Sequence, residues 1–400
     1  MMLHHELYSP KFMKTTTLNA LYLLASFLYA SFLTPYFLSL GFSTLQVGVL
    51  FSLFAFGMMI ASPVIGTISD RIGRFHIMIF GFIVEMIALA GYLLFTNFWL
   101  VSVVRLLAAV SFASVTLSAR SRIHDIIKND GERGRVSGVY ESLTSVSVAV
   151  APLAGGFLAD TYGFSAVFLI ALAIIVLIVI FLSLFDLSHY HQPPQKKHVP
   201  VTLRDLNPFA DVLDFLKFKQ LRAMAYLGFA ANFSGPFWNL VLPLIIIDRF
   251  GGNNKTFGFA ILLIGLAHVF QYSLGQFSDR IGEGRGILIG AAGLAITLLF
   301  LIVVPNLELL FVIVLLRGIL GALWNVSAWA YMSTIGERCK IEGKVVGSYT
   351  SLIKLSAAIS YLVSGALLLL GFHYVLLLYC LLILGALGVT FKTFNVPLKI

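Results

Sequence analysis

Charged residues are scarce in this chain, and cysteines are scarcer still. Only 11% of the 400 residues are Asp, Glu, Lys or Arg, whereas 59% are hydrophobic; an ordinary soluble domain carries about 25% charged residues. So little polar material cannot cover a water-soluble fold of this size, which excludes a soluble enzyme, a disordered protein and a nucleic-acid binder of the usual kind. The two cysteines, Cys339 and Cys380, exclude a disulfide framework and a cysteine-based metal site.

Long apolar runs fill the sequence instead. A helix that crosses about 30 Å of hydrocarbon needs about 20 apolar residues, and twelve segments meet this requirement. The runs are continuously apolar, which disfavours the alternating strands of a membrane barrel. The first run is too long for a cleaved signal peptide, so we expect it to be retained. We predict spans 1 to 12 at 16–40, 45–69, 75–95, 98–122, 134–159, 164–185, 221–248, 255–277, 285–304, 307–335, 343–369 and 371–392.

One long connection separates the spans into two groups of six. We predict an N-terminal bundle over 1–185, a cytoplasmic linker over 186–220 and a C-terminal bundle over 221–400, with a regulatory loop as the alternative role of the linker. With both termini in the cytoplasm, most Lys and Arg outside the spans lie on the cytoplasmic side, as the positive-inside rule requires. The net charge of +9 is therefore an orientation signal, and we expect a multi-pass protein of the plasma membrane.

The two halves of the chain repeat each other at a nearly constant offset. Residues 66–74 read GTISDRIGR, and residues 275–282 read GQFSDRIG, 209 positions later. At the same offset, GRVSGVYESL over 134–143 returns as GKVVGSYTSL over 343–352. Two such six-helix repeats place a transport pathway between them.

The Gly-Asp-Arg-Gly-Arg pattern between spans 2 and 3 resembles the signature loop of the major facilitator superfamily. Its second copy lies between spans 8 and 9, where that family keeps one, although Glu283-Gly284-Arg285 replaces an arginine directly after the glycine. The resemblance covers essentially the whole chain. It implies an all-α integral membrane protein with twelve transmembrane helices in two pseudo-symmetric six-helix bundles.

The resemblance also implies that the loop motifs latch one conformation of the protein. The two glycines of the first motif allow close helix packing and a tight turn. We expect Asp70 to accept hydrogen bonds from the N–H groups that begin span 11, and Arg71 and Arg74 to pair with Asp125. The alternative is that these charges only mark the cytoplasmic face. The predicted latch residues are Gly66, Asp70, Arg71, Gly73, Arg74, Asp125, Asp279 and Arg280.

Ionisable groups inside membrane spans are costly and usually functional. Glu141 on span 5 is the first candidate for proton coupling, because a desolvated carboxylate can carry a proton; a structural pair with Arg120 is an equal alternative. Glu85 on span 3 and Arg105 on span 4 lie at similar depths, so we expect an ion pair between them. Arg105 also resembles a family position suggested to help proton transfer, so all three are proton-coupling candidates.

Two further bases and one histidine lie within the spans of the C-terminal half. Arg317 on span 10 and Lys354 on span 11 have no acidic neighbour in the repeat pattern. Either they contact an anionic or carbonyl-rich substrate, or they pair with backbone carbonyls or with Glu141. His268 on span 8 is either a binding residue or a buried imidazole. A lone histidine is no metal site, so we predict no metal and no cofactor.

Span 7 carries the strongest substrate-site pattern. Residues 232–239 read NFSGPFWN, which combines a helix break with polar and aromatic groups. Broken helices at membrane depth are tolerated where they line a cavity; ordinary helix packing is the alternative reading of the aromatic residues, including those of span 1. The predicted substrate-binding residues are Asn232, Phe233, Trp238, Asn239, Arg317, Trp324, Asn325, Lys354 and His268.

Span 5 carries a second resemblance within the same family. Ala151, Pro152, Gly155 and Gly156 are similar to the Gly-Pro-x-x-Gly-Gly motif that marks antiporters, with alanine in place of the first glycine. Small residues let two membrane helices approach closely. We therefore expect span 5 to pack tightly on span 8 and to bend at its proline.

These features together favour a secondary active transporter that works by alternating access. The apolar, aromatic cavity suits proton-coupled export of small amphiphilic or drug-like compounds by a monomer. Its partners would be a small-molecule substrate, protons and the lipid bilayer, with no nucleic acid and no catalysis. The alternatives are an importer of small organic anions that uses Arg317 and Lys354, and a non-transporting receptor or scaffold on the same fold.

Overall fold

A computed structural model describes residues 9–126, 133–184, 207, 209, 212–267, 270–339 and 342–394. Throughout these ranges the regular structure is helical, and no strand occurs in them. Eleven helical segments are long and apolar enough to cross a membrane, and the shorter apolar helix Asn254–Ala267 lies in span 8. The all-α membrane fold predicted from the sequence is confirmed.

Spans 1 to 6 follow the predicted order, and their ends agree with the prediction to within a few residues. Span 1 is interrupted, because the ring of Pro35 clashes with the carbonyl four residues earlier and removes an N–H donor; the sequence analysis did not predict this break. The helices are Pro10–Ala30 and Leu33–Ser39 in span 1, then Thr44–Ile72, Arg74–Leu94, Phe98–Ile126, Arg133–Tyr162 and Phe164–Leu184.

Spans 7 to 12 follow the six-residue helix Val212–Lys217, which lies within the predicted linker. Span 7 consists of Lys219–Phe233, the more widely wound turns Phe237–Val241 and Ile245–Arg249, and Leu242–Leu244 between them. Span 8 is described as Asn254–Ala267 and Gln271–Ile281. The remaining helices are Glu283–Val303, Leu307–Cys339, Glu342–Leu367 and Phe372–Phe394.

The chain forms two compact units. The first comprises Met1–Tyr36 and Phe56–Asn207, and the second comprises Phe37–Ala55 and Pro208–Ile400. The first half of span 2 therefore belongs to the second unit, where it packs against span 11. A Cβ atom on Gly48 would lie 2.5 Å from the carbonyl oxygen of Tyr361 and 2.9 Å from the Cα of Gly365, so this approach requires glycine.

A glycine of span 5 lies against span 1. The atoms nearest to a Cβ built on Gly155 are the carbonyl oxygen of Leu28 and the ring of Phe32, both on span 1. Gly155 therefore permits a close approach of span 5 to span 1, and the packing of span 5 on span 8 stays a prediction. Ala151, Pro152 and Gly156 are buried beside it.

Candidate functional site

A carboxylate lies at the centre of the first unit. Glu85 is only 1% exposed and is the one acidic side chain in the buried class among the residues that the structure describes. The hydroxyl of Tyr29 donates to its Oε1 at 2.7 Å, and the hydroxyl of Tyr22 donates to its Oε2 at 3.3 Å. The Tyr22 hydroxyl also lies 3.0 Å from the Oγ of Ser111 on span 4. Span 1 thus supplies hydroxyl groups to an acid of span 3.

Arg105 belongs to the same network. Its Nη1 donates to the hydroxyl of Tyr92 at 3.3 Å, and its charge acts on Glu85. The ring of Tyr92 lies 5.7 Å from that of Tyr29, and its carbonyl accepts from the Tyr36 hydroxyl at 2.6 Å. The sequence analysis paired Glu85 with Arg105 but missed that tyrosines would bond the carboxylate; these tyrosines are buried here.

This arrangement suits a group that gains and loses a proton. Burial in an apolar surrounding disfavours the carboxylate, whereas donated hydrogen bonds and a nearby guanidinium favour it. The protonation state of Glu85 therefore depends on the contacts that Tyr22 and Tyr29 make with it.

Glu141 lies in a different setting from the one predicted. The Nη2 of Arg120 donates to its Oε1 at 2.7 Å, and 48% of the Glu141 side chain and 60% of the Arg120 side chain are accessible. Glu141 is therefore not enclosed by the described residues, contrary to the expectation. The pairing with Arg120 is the structural alternative that the sequence left open.

The first loop motif forms part of the predicted latch. The Nε of Arg74 lies 2.5 Å from the Oδ2 of Asp125, and its Nη2 lies 3.4 Å from the Oδ1 of Asp70. Arg71 lies half-buried beside them. In the second motif, Asp279 and Arg280 are exposed, so only the first copy shows this triad in the described residues. The predicted bonding of Asp70 to span 11 stays a prediction.

The glycines of the first motif differ in their roles. Gly73 has a φ of 107°, and the equivalent Gly282 of the second copy has a φ of 90°, so both turns depend on a residue without a side chain. By contrast, no described atom lies within 4 Å of a Cβ built on Gly66. Close helix packing at Gly66 stays a prediction, whereas the tight turn at Gly73 is present.

Replacing Gly73 therefore affects the protein more than replacing Gly66. We expect Gly73→Ala to lower the free energy of unfolding by about 1–3 kcal/mol, the cost of holding a side chain in a sparsely populated backbone region. Gly66→Ala is the matched control and should not lower stability, because alanine is favoured over glycine inside the helix Thr44–Ile72. Thermal unfolding of both variants in detergent measures the difference, and equal melting temperatures would contradict the assignment.

In the second unit, span 7 breaks where the sequence predicts. The helix ends at Phe233, the N–H groups of Ser234 and Gly235 turn back to Ala231 and Asn232, and Pro236 has no N–H to offer. Two partners hold this break. The hydroxyl of Ser360 on span 11 donates to the carbonyl of Phe233, and the Nη2 of Arg317 donates to Ser234 Oγ at 2.9 Å.

Arg317 is a packed arginine in the interior of its unit. It is 1% exposed, and its Nη1 donates to the carbonyl of Leu294 at 2.7 Å and to Thr297 Oγ1 at 3.1 Å. The guanidinium carbon also lies 4.9 Å from the ring centroid of Phe237. Leu294 occupies the repeat position of Glu85, so a backbone carbonyl takes the place of the acid. The pairing with backbone carbonyls, left open by the sequence, is present.

An asparagine–tyrosine hydrogen bond joins spans 1 and 5 in the first unit. The Nδ2 of Asn19 donates to the hydroxyl of Tyr140 at 2.8 Å. Tyr140 and its repeat counterpart Tyr349 are 209 positions apart and lie in the second repeated motif. In the second unit, the Nδ2 of Asn232 donates to the Gly228 carbonyl of its own helix at 2.8 Å.

The other substrate candidates divide by accessibility. Phe233 and Trp324 are buried within the second unit, which favours the packing alternative for these two. Those with accessible surface are Asn232, Trp238, Asn239, Asn325 and Lys354. The Nδ2 of Asn239 lies 3.4 Å from the hydroxyl of Tyr361. His268 lies outside the described residues. No cluster that could hold a metal ion occurs among the residues described.

Two bundles of apolar, membrane-length helices, each with buried charge and hydroxyl networks, define a polytopic membrane transport fold. The family profile of the Major Facilitator Superfamily matches residues 15–332. The chain belongs to the Major Facilitator Superfamily, and it is a membrane transporter of small molecules.

Relatives with known roles share this assignment. The class B tetracycline resistance protein of Escherichia coli is 26% identical over 274 residues, which cover 68% of this chain and 67% of that protein. A multi-drug resistance efflux pump PmrA homolog of Lactococcus lactis is 25% identical over 249 residues, covering 62% and 60%. About two thirds or less of each relative is therefore matched. The crystal structure of the nucleoside transporter NupG superimposes with a TM-score of 0.78 at 13% identity, covering 97% of this chain and 100% of that chain, and shows the fold alone.

Proposed function

We propose that this transporter exports small amphiphilic, drug-like compounds in exchange for protons, and that Glu85 is the residue that carries the proton. The observation that carries the proposal is the burial of Glu85 inside the first unit, where the hydroxyls of Tyr22 and Tyr29 donate to its carboxylate. A buried membrane carboxylate is expensive to maintain, so a functional role accounts for its presence. Glu141, accessible and paired with Arg120, suits this role less well.

The cargo class follows from the groups that span 7 leaves accessible. Asn232, Trp238 and Asn239 are neutral, and aromatic and amide groups accommodate apolar bodies with a few polar substituents. Two relatives, a tetracycline resistance protein and a multi-drug resistance efflux pump homolog, are named for resistance to drugs, which supports the same class. The importer of organic anions loses support, because every terminal nitrogen of Arg317 already donates within its own unit.

The orientation completes the proposal. We place the protein in the plasma membrane as a monomer with both termini in the cytoplasm, on the strength of the basic residues in the predicted cytoplasmic loops. The Arg74–Asp125 pair then lies at the cytoplasmic end of spans 3 and 4. Export against a gradient would draw on protons that enter as the cargo leaves.

Transport by inside-out membrane vesicles tests this function. We expect tetracycline or ethidium to accumulate in the vesicles when their interior is acidified, and a protonophore to abolish accumulation. Empty vesicles provide the control for passive partition of these amphiphilic probes. Accumulation that is unaffected by collapsing the pH gradient, or absent for both probes, would contradict proton-coupled export of this cargo class.

A further inference from the structure

A polar seam runs between spans 1 and 4 inside the first unit. At one level the hydroxyl of Tyr22, which contacts Glu85, lies 3.0 Å from Ser111 Oγ. At the other level the Nε of Arg122 donates to Thr15 Oγ1 at 3.0 Å. Residue numbers fall along span 4 as they rise along span 1, so these two contacts fix the register of an antiparallel helix pair.

Asn19 and Ser118 lie between those two contacts. Each is four residues, about one helical turn, from Thr15 and Arg122 respectively, on the face that carries the seam. Both side chains are buried, with 2% of Asn19 and 1% of Ser118 exposed. The two residues therefore occupy the same level of the seam, one turn from the Thr15–Arg122 contact on the side toward Glu85.

Each of these two side chains has a polar atom without a hydrogen-bond partner in the described part of the chain. They are the Oδ1 of Asn19 and the Oγ of Ser118. Exchanging the oxygen and nitrogen of the Asn19 amide does not remove this lack of a partner. Only one of the two terminal atoms contacts the Tyr140 hydroxyl, so the other is left without a partner in either orientation. Buried polar atoms in proteins nearly always form a hydrogen bond, and where no protein group is the partner, an ordered water molecule is.

We propose that Asn19 and Ser118 hold a buried water molecule that completes a proton path from Glu85 to the cytoplasmic end of the first unit. The proposal rests on the function proposed above. The protonated Glu85 gives its proton to the Tyr22 hydroxyl oxygen, which releases its own hydrogen to a water at the level of Ser111. That water releases one hydrogen to the water between Asn19 and Ser118, about 10 Å further along span 4. That water releases one hydrogen to the next water toward the cytoplasm. For every O–H bond formed one is broken, and Glu85 is left as a carboxylate.

The charges around the path define its direction. At the upper end of the path, Tyr29 donates to Glu85, and Arg105 donates to the hydroxyl of Tyr92. At the lower end Arg122 lies over the ring of Phe75 at 4.8 Å and repels an excess proton. The exit therefore runs past the Tyr140 hydroxyl, which is already bonded to Asn19.

Infrared spectroscopy of the purified full chain tests this path without any cargo. A rapid pH change should produce a carboxylic-acid band that is absent in Glu85→Gln, which assigns the band to Glu85. We expect Ser118→Val to slow the appearance of this band at least about tenfold, equivalent to ~1.4 kcal/mol of added barrier. Ser118→Thr, which has the same shape but keeps a hydroxyl, should restore the wild-type rate.

Two further variants secure the interpretation. Ser114→Ala is the matched control on span 4, because the buried Ser114 Oγ donates to the Val110 carbonyl of its own helix, and its rate should equal that of the wild type. Asn19→Leu removes the other side chain that bonds the water, so the carboxylic-acid band should appear as slowly as in Ser118→Val. Testing both variants keeps the path testable if one of them fails to fold. Wild-type rates in both Ser118→Val and Asn19→Leu would overturn the path, whereas a wild type without a Glu85 band would overturn the proposed function itself.

Discussion

Glu85→Gln should abolish transport driven by a pH gradient while leaving cargo exchange intact. The glutamine keeps an oxygen that accepts from Tyr29, so the packing of spans 1 and 3 is retained, but it cannot ionise. We expect gradient-driven accumulation to fall by about two orders of magnitude, the lower range for removing a positioned proton-transfer group. Counterflow of labelled against unlabelled cargo in proteoliposomes needs no net proton movement and should continue.

The control for this experiment is the same substitution at the accessible acid. Glu141→Gln removes one partner of the Arg120 pair, and exposed ion pairs contribute about 0–1 kcal/mol. We expect this variant to retain gradient-driven transport. Loss of coupling in Glu141→Gln together with full coupling in Glu85→Gln would reverse the two assignments.

Arg317→Met should weaken both the fold of the second unit and its affinity for cargo. Methionine has a similar length but removes the hydrogen bonds that Arg317 donates to the Leu294 carbonyl and to the Ser234 hydroxyl. A hydrogen bond from a charged donor contributes about 1.5–3 kcal/mol. Since Ser234 begins the break in span 7, we expect the KM for cargo to rise several-fold more than the transport rate falls.

The measurement combines thermal unfolding with transport kinetics. Ser356→Ala is the matched control, because Ser356 donates to the carbonyl of Phe229 within the span 7 helix, one turn before the break. This variant should change KM little. If Arg317→Met unfolded at the wild-type temperature and bound cargo with the wild-type KM, Arg317 would have no part in holding the break.

The sequence specified the membrane fold well because apolar runs of about 20 residues have few other uses. The break in span 7 was also predictable, since Gly235 and Pro236 stand together. The break in span 1 was missed because span 1 was predicted from its apolar residues alone, without regard to Pro35. Proline restricts the helix several residues before its own position, which a count of apolar residues does not show.

The candidate site was only partly predictable. Counting residues from the ends of spans 3 and 4 placed Glu85 and Arg105 at a similar depth, because both helices cross the membrane. It could not show which helix faces the acid, so Tyr22 and Tyr29 were assigned to a cavity wall. For the same reason Glu141 was expected to be enclosed, although the described residues leave its side chain accessible. Helix rotation depends on tertiary packing, which a single sequence does not specify.

The most direct test of the account is the release of protons when cargo binds. In weakly buffered detergent solution, a pH-sensitive dye reports protons that leave the purified protein upon addition of a bound compound such as tetracycline. If Glu85 carries the exchanged proton, the wild type and Glu141→Gln should release it and Glu85→Gln should release none, although all three bind. Equal proton release from Glu85→Gln and the wild type would contradict the account.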